Sequence, residues 1–140
     1  MAFNTYDPKE ILVIVGIRQM TGFADGTGVK VSRNEDAWTV QSGVTGETAR
    51  SKNNNRTGSV EISLLQTAED NQYLSDLALL DENANAGAVP LTVKDNNGNT
   101  ILFAENAWVK KMPDVEYGKE AGPRTWVFET DNLVWNIAGN

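Results

Sequence analysis

Apolar and polar residues alternate most cleanly in RTGSVEISLLQ (56–66), where Thr57, Ser59, Glu61 and Ser63 are polar and Val60, Ile62 and Leu64 lie between them. A period of two is that of a half-buried strand, so Thr57–Gln66 is expected to be a strand with one wholly polar face. That face looks at bulk water, at a ligand or at a lumen. Upstream, ILVIVGI (Ile11–Ile17) is an unbroken aliphatic run, the pattern of a strand buried on both faces. Gly22–Gly28 reads as a turn around Asp25-Gly26. Val29, Val31, Trp38 and Val40 mark a second extended region, interrupted by the polar Ser32–Asp36. The Asn-, Ser- and charge-rich stretch Ser42–Gly58 reads as a long mobile loop.

After the alternating strand the period changes. Thr67-x-x-Asp70 resembles a capping box with Asp in place of Glu. Tyr73, Leu74, Leu77, Ala78 and Leu80 then recur at helical spacing, and Gly87 lies past the expected end. Val89–Lys94 and Asn99–Lys110 form a predicted hairpin around Asn97-Gly98, a type I′ turn signal. Pro113–Pro123 reads as a second exposed loop. In the last predicted strand, Thr125–Ala138, Trp126 and Phe128 have one parity, and Leu133, Trp135 and Ile137 the other. A bulge near Thr130–Asn132, or a crossing between sheets, would reconcile them. The coarse picture is mostly antiparallel β with one helix, in a single domain over 1–140 without repeats or linker.

Composition narrows the function. The net charge of −7 disfavours binding to nucleic-acid phosphates or anionic membranes. The chain has no cysteine and no histidine. Disulfides, thiolate metal sites and Ser-His-Asp chemistry are therefore excluded. MAFNTYDPKE has no basic start and the following apolar run is short, so no signal peptide or membrane span is expected. No cofactor- or metal-binding pattern is read.

Each candidate site has a plainer explanation. Asp95-Asn96-Asn97-Gly98-Asn99 departs from calcium-loop spacing and is expected to be a turn. GFADGTG lacks the lysine and the following helix of a phosphate loop. Glu47, Glu61, Glu69, Glu105, Glu116, Glu120 and Glu129 offer carboxylate pairs for a glycosidase, but scattered carboxylates on an acidic protein are usually solvated. Trp38, Trp108, Trp126 and Trp135 suggest a sugar-stacking platform, yet all four sit in predicted strands, where packing is the simpler role. RSKNNNR (50–56) is the main basic cluster and suits a protein contact.

Four segments, 10–38, 46–77, 87–120 and 124–140, together resemble the tail tube proteins of contractile-tailed bacteriophages. The centre of the resemblance is Asn55, Arg56, Gly58, Leu64–Thr67, Asn71 and Leu74. It implies two packed antiparallel sheets, a barrel-like sandwich, with one flanking helix. It implies no enzymatic activity. Six copies would form a ring, and rings would stack into the inner tube of a contractile tail. The implied partners are other copies of the chain, the tail sheath protein, a tape-measure protein and a baseplate tube initiator. DNA would pass through the lumen without specific binding. The implied location is the virion tail, assembled in the host cytoplasm.

Under that resemblance Thr57, Ser59, Glu61 and Ser63 are the expected lumen-facing residues, with Glu61 contributing to an acidic lining. The segment Arg50, Lys52, Asn53, Asn54, Asn55 and Arg56 is the expected ring-stacking loop. Asp114, Glu116 and Glu120 are its expected acidic partners. The ends MAFNTYDP and AGN are further candidates to reach neighbours. Two other readings remain: a carbohydrate-binding β-sandwich that uses its tryptophans, and a small β-barrel hydrolase that uses paired carboxylates.

Overall fold

The computed structural model describes residues 3–26 and 28–138. Met1, Ala2, Gly139 and Asn140, at the two ends expected to reach neighbours, lie outside the described residues, as does Thr27 in the Gly22–Gly28 turn. The chain forms β1 (Ile11–Val15), β2 (Arg18–Gln19), β3 (Val29–Arg33), β4 (Trp38–Ser42), β5 (Thr48–Lys52) and β6 (Gly58–Leu65). These are followed by α1 (Asp70–Ala84), β7 (Val89–Asp95), β8 (Ile101–Lys111), β9 (Pro123–Thr130) and β10 (Leu133–Asn136). It is mainly β, with two antiparallel sheets and one helix. An eight-stranded sheet runs β2-β1-β7-β8-β9-β6-β3, with β10 beside β8, and the second sheet is the β4–β5 hairpin.

The large sheet bends over itself. Val13 and Val15 of β1 therefore share one buried cluster with Val60, Ile62 and Leu64 of β6 and with Trp126 and Phe128 of β9. Each such fully buried side chain contributes about 1.5–3 kcal/mol. Leu74 and Ala78 of α1 join the same cluster, with Tyr73 and Leu77 packed against it. Leu80, on the predicted apolar face, is 46 % exposed.

Several local expectations are corrected. Thr67 does not cap the helix, and Asp70 closes no box with it. Glu69 occupies the cap position without a side-chain bond, and the buried Asp70 carboxylate accepts from Arg18 Nε and from the Thr21 amide instead. The helix does stop before Gly87, as expected, with Asn85 as its left-handed cap at φ 54°. The β7–β8 turn is not type I′. That turn needs positive φ at its central residues, and Asn85 is the non-glycine residue with positive φ among those described. Asn97 is drawn away by bonds to the backbone of Asp7 and to the Asp95 carboxylate.

The parity slip in the last predicted strand is real. It falls between β9 and β10, at Asp131-Asn132. Both strands pair with β8, which slips in step: Ala104 and Ala107 are buried as Leu133 and Thr130 are. The Asn106 side chain donates to Asp131 at the corner, 2.9 Å. The run at Ile11–Ile17 is covered on one face only, since Val13 and Val15 are buried whereas Leu12 and Ile14 are half-exposed.

Candidate functional site: a polar sheet face between two charged ends

The expected mobile loop at Ser42–Gly58 is instead half of a hairpin. β5 pairs residue for residue with β4, from Trp38 beside Lys52 to Ser42 beside Thr48. The turn is closed by the Gly43 amide donating to Glu47 O at 2.7 Å, with Gly46 at φ +91°. Alternation puts Trp38, Val40, Arg50 and Lys52 on one face. All ten strand residues are exposed, and Val40 is 72 % exposed. The Arg50 guanidinium lies 3.9 Å from the Trp38 ring centroid, a cation–π contact that keeps the face basic and apolar together.

The expected stacking residues divide into two groups. Arg50 and Lys52 are on β5. Asn53 and Asn55 latch the hairpin base by donating to Glu35 at 2.9 and 2.8 Å. These two amides, Asn53 first, hold the Glu35 carboxyl below its ordinary range. Asn54 and Arg56 are exposed beside them. Glu35 was not singled out in the sequence. Its signal was its place among polar residues between two strand segments.

The polar residues of β6 lie where alternation put them, opposite the buried Val60, Ile62 and Leu64. Thr57 lies one residue ahead of the strand, bonded to Asn34 and Asn55. Ser59 donates to Asn34, and Ser63 bonds Thr125 of β9 at 3.1 Å. Register places Lys30 and Ser32 of β3 beside Glu61 and Ser59, and Val127 and Glu129 of β9 on their other side. Lys110 reaches Glu129 at 3.3 Å. Lysines 30 and 110 share this hydroxyl-rich face with Glu61 and Glu129.

The second loop, residues 112–122, follows β8 and precedes β9. Asp114, Glu116 and Glu120 are exposed on it, with Asp114 paired loosely to Lys111 at 4.0 Å. The loop and β9 border an open cleft of about 350 Å³ that includes Gln66, Met112, Glu116 and Arg124. The hairpin joins the sheet at Arg33 and Gly58, and this loop joins it at Pro123, which pairs with Leu65 at the other end of β6. The basic hairpin and the acidic loop therefore lie at opposite ends of the same strands. Seven residue steps along β6 separate their attachment points by about 23 Å. Sequence order alone did not reveal this opposition.

The alternative sites fare differently. Trp126 is buried and donates to Asn71 Oδ1 at 2.9 Å. Trp108 and Trp135 are half-buried, and the exposed Trp38 stacks with Arg50 on the separate β4–β5 hairpin, so the four do not form one platform. The Gly22–Gly28 segment is tied to β6 through its backbone: Ala24 N donates to Ser63 O, and Gly22 O accepts from Leu65 N. Among the described residues no cluster of three or more acidic side chains could hold a metal ion. No described helix is long and apolar enough to cross a membrane.

The bent antiparallel sheet with its single helix is the fold of contractile injection system tube components. The chain superposes with a TM-score of 0.66 on the sheath/tube terminator of an extracellular contractile injection system (PVC), at 11 % identity, covering 98 % of this chain and 100 % of that one. The corresponding sheath-tube complex gives a TM-score of 0.62 at 11 % identity, covering 96 % and 93 %. By sequence, the chain is 28 % identical to structural protein ORF10 of Pseudomonas phage KPP10, across 98 % of this chain and 84 % of that protein. The chain belongs to the Bacteriophage PhiTE tail tube protein family, whose model matches residues 13–136. It is a structural component of the phage tail and not an enzyme.

Proposed function

We propose that this chain is the repeating subunit of the inner tube of a contractile phage tail. Six copies close a ring, rings stack head to tail, and the channel carries DNA outward during ejection. The observation that carries this reading is the opposition of the basic hairpin and the acidic loop across the polar face. A contact between two different patches at opposite ends of the molecule repeats along the axis without closing and so builds a filament. Arg50, Lys52 and Arg56 of one ring face Asp114, Glu116 and Glu120 of the next, and Asn53–Asn55 hold the hairpin in place. Thr57, Ser59, Glu61 and Ser63 face the lumen. A hydroxyl-rich wall with balanced charge offers DNA phosphates no net cationic track, and DNA slides without specific binding.

In this role the tube assembles in the host cytoplasm from a baseplate tube initiator, around a tape-measure protein and inside the sheath. The likeness to a tube terminator supports a second position, at the end of a tube. A terminator needs one stacking face, whereas under this reading the chain carries both halves of the contact, which favours the repeating position.

The test is negative-stain electron microscopy of the purified protein across a concentration series. Hollow tubes are expected, and Arg50→Glu is expected to abolish them without lowering the melting temperature. Tubes of normal length from Arg50→Glu would remove the hairpin from the stacking contact. A parent protein that forms neither rings nor tubes would count against the tube role itself.

A further inference from the structure

Register lays two rows across the outward face of one half of the large sheet. One runs Val134, Phe103, Thr92, Ile14, and the other Asn136, Ile101, Lys94, Leu12. Phe103 and Ile101 are each 41 % exposed and Val134 54 %. β1 has the composition of a strand covered on both faces, yet only the core covers it here. An apolar sheet face of this kind marks an interaction surface. Within these two rows Lys94 is the one charge, and Glu105 follows two residues past Phe103 on β8.

Helix α1 presents a complementary stripe. Gln72, Asp76, Leu79, Leu80 and Asn83 are exposed, and their spacing puts them along one side of the helix. Leu79 and Leu80 are 47 % and 46 % exposed. The helix contains no lysine or arginine. In its last turn Glu82 is exposed one turn on from Leu79, although the negative end of a helix favours a cation there, while Asp81 accepts from the Gly87 amide. The sheet face supplies apolar area and a cation, and the helix stripe supplies apolar area and carboxylates.

We propose that the outward face of β1, β7, β8 and β10 seats helix α1 of a neighbouring copy, with Lys94 meeting Glu82 at the helix's C-terminal end. This is the lateral contact within a ring, distinct from the axial hairpin contact, and it rests on the tube reading above. It joins two different patches, so each copy gives its helix to one neighbour and receives a helix from the other.

The absence of cysteine makes the test direct. Leu80→Cys and Phe103→Cys are made as single variants, checked by thermal melting, and assembled alone and as an equal mixture under mild oxidation. The mixture is expected to give disulfide-linked dimers and neither variant alone. Tubes without dimers in the mixture would overturn the contact and leave the tube role standing. Dimers from a single variant would mean a symmetric contact and would also overturn it. A parent protein that assembles neither alone nor on preformed tube ends removes the tube reading and this inference together. As a second readout, Lys94→Glu is expected to raise the critical concentration for assembly about tenfold, and adding Glu82→Lys to restore it. A critical concentration unchanged by Lys94→Glu would overturn the ion pair.

Discussion

At the scale of single residues, the clearest commitments are at Asp70, Gly58 and Glu35. The Asp70 carboxylate, 1 % exposed, ties β2 and the Thr21 segment to the start of α1. Asp70→Asn leaves Arg18 without its counter-charge and is expected to cost about 2–3 kcal/mol, read by denaturant unfolding. Gly58 sits where β6 meets the β9–β10 corner, and the Thr130 hydroxyl bonds both its amide and its carbonyl. An added Cβ would stand 2.6 Å from Leu133 Cδ2 and 2.8 Å from Ser32 O. Gly58→Ala should therefore cost about 1–3 kcal/mol. Glu35 titrates below its ordinary range because Asn53 and Asn55 donate to its ionised form. The latch is fully present above the ordinary glutamate value and is lost as pH falls through the depressed one. The Asn53 and Asn55 side-chain amide chemical shifts should move together in that acid window, and Glu35→Gln should remove the transition.

At the scale of elements, the hairpin differs from the rest. An isolated two-stranded ribbon is marginally stable in water, and β4 and β5 bury nothing of their own. Their amides should exchange quickly in the free subunit and at least about tenfold more slowly after assembly, by mass spectrometry. Val40→Asp should leave the melting temperature unchanged and weaken assembly. The strands that face the core were legible in the sequence: Val60, Ile62 and Leu64 alternate because one side is dry. Of the hairpin, Trp38 and Val40 marked β4, but β5 read as loop, because neither face of it is covered by this chain and no hydrophobic alternation is required there. The β9–β10 corner was legible as a slip in parity between Phe128 and Leu133, although its matching slip in β8 was not. Asn97-Gly98 misled because a tertiary bond to Asp7 outweighed local turn preference. Asp70 misled because its buried partners lie in another part of the sequence.

At the scale of the whole molecule, charge is arranged by position more than by total. The family and mainly-β class were readable from coverage along the chain. The placement of opposite charges at the two ends of β6 needed the register of three strands. If those ends meet between rings, stacking should weaken with salt. Raising ionic strength from about 0.15 to 1 M shortens the screening length from about 8 to 3 Å. Light scattering should show a higher critical concentration for tubes, while the melting temperature of the subunit stays nearly constant. The same arrangement makes any such polymer directional. One terminus exposes a crown of bare hairpins, basic and apolar, and the other a rim of carboxylates. Growth from a fixed base is then possible in only one orientation. A protein that closes the far end must carry the chemistry of whichever half is missing there, so the cap's charge reports which way the subunits point.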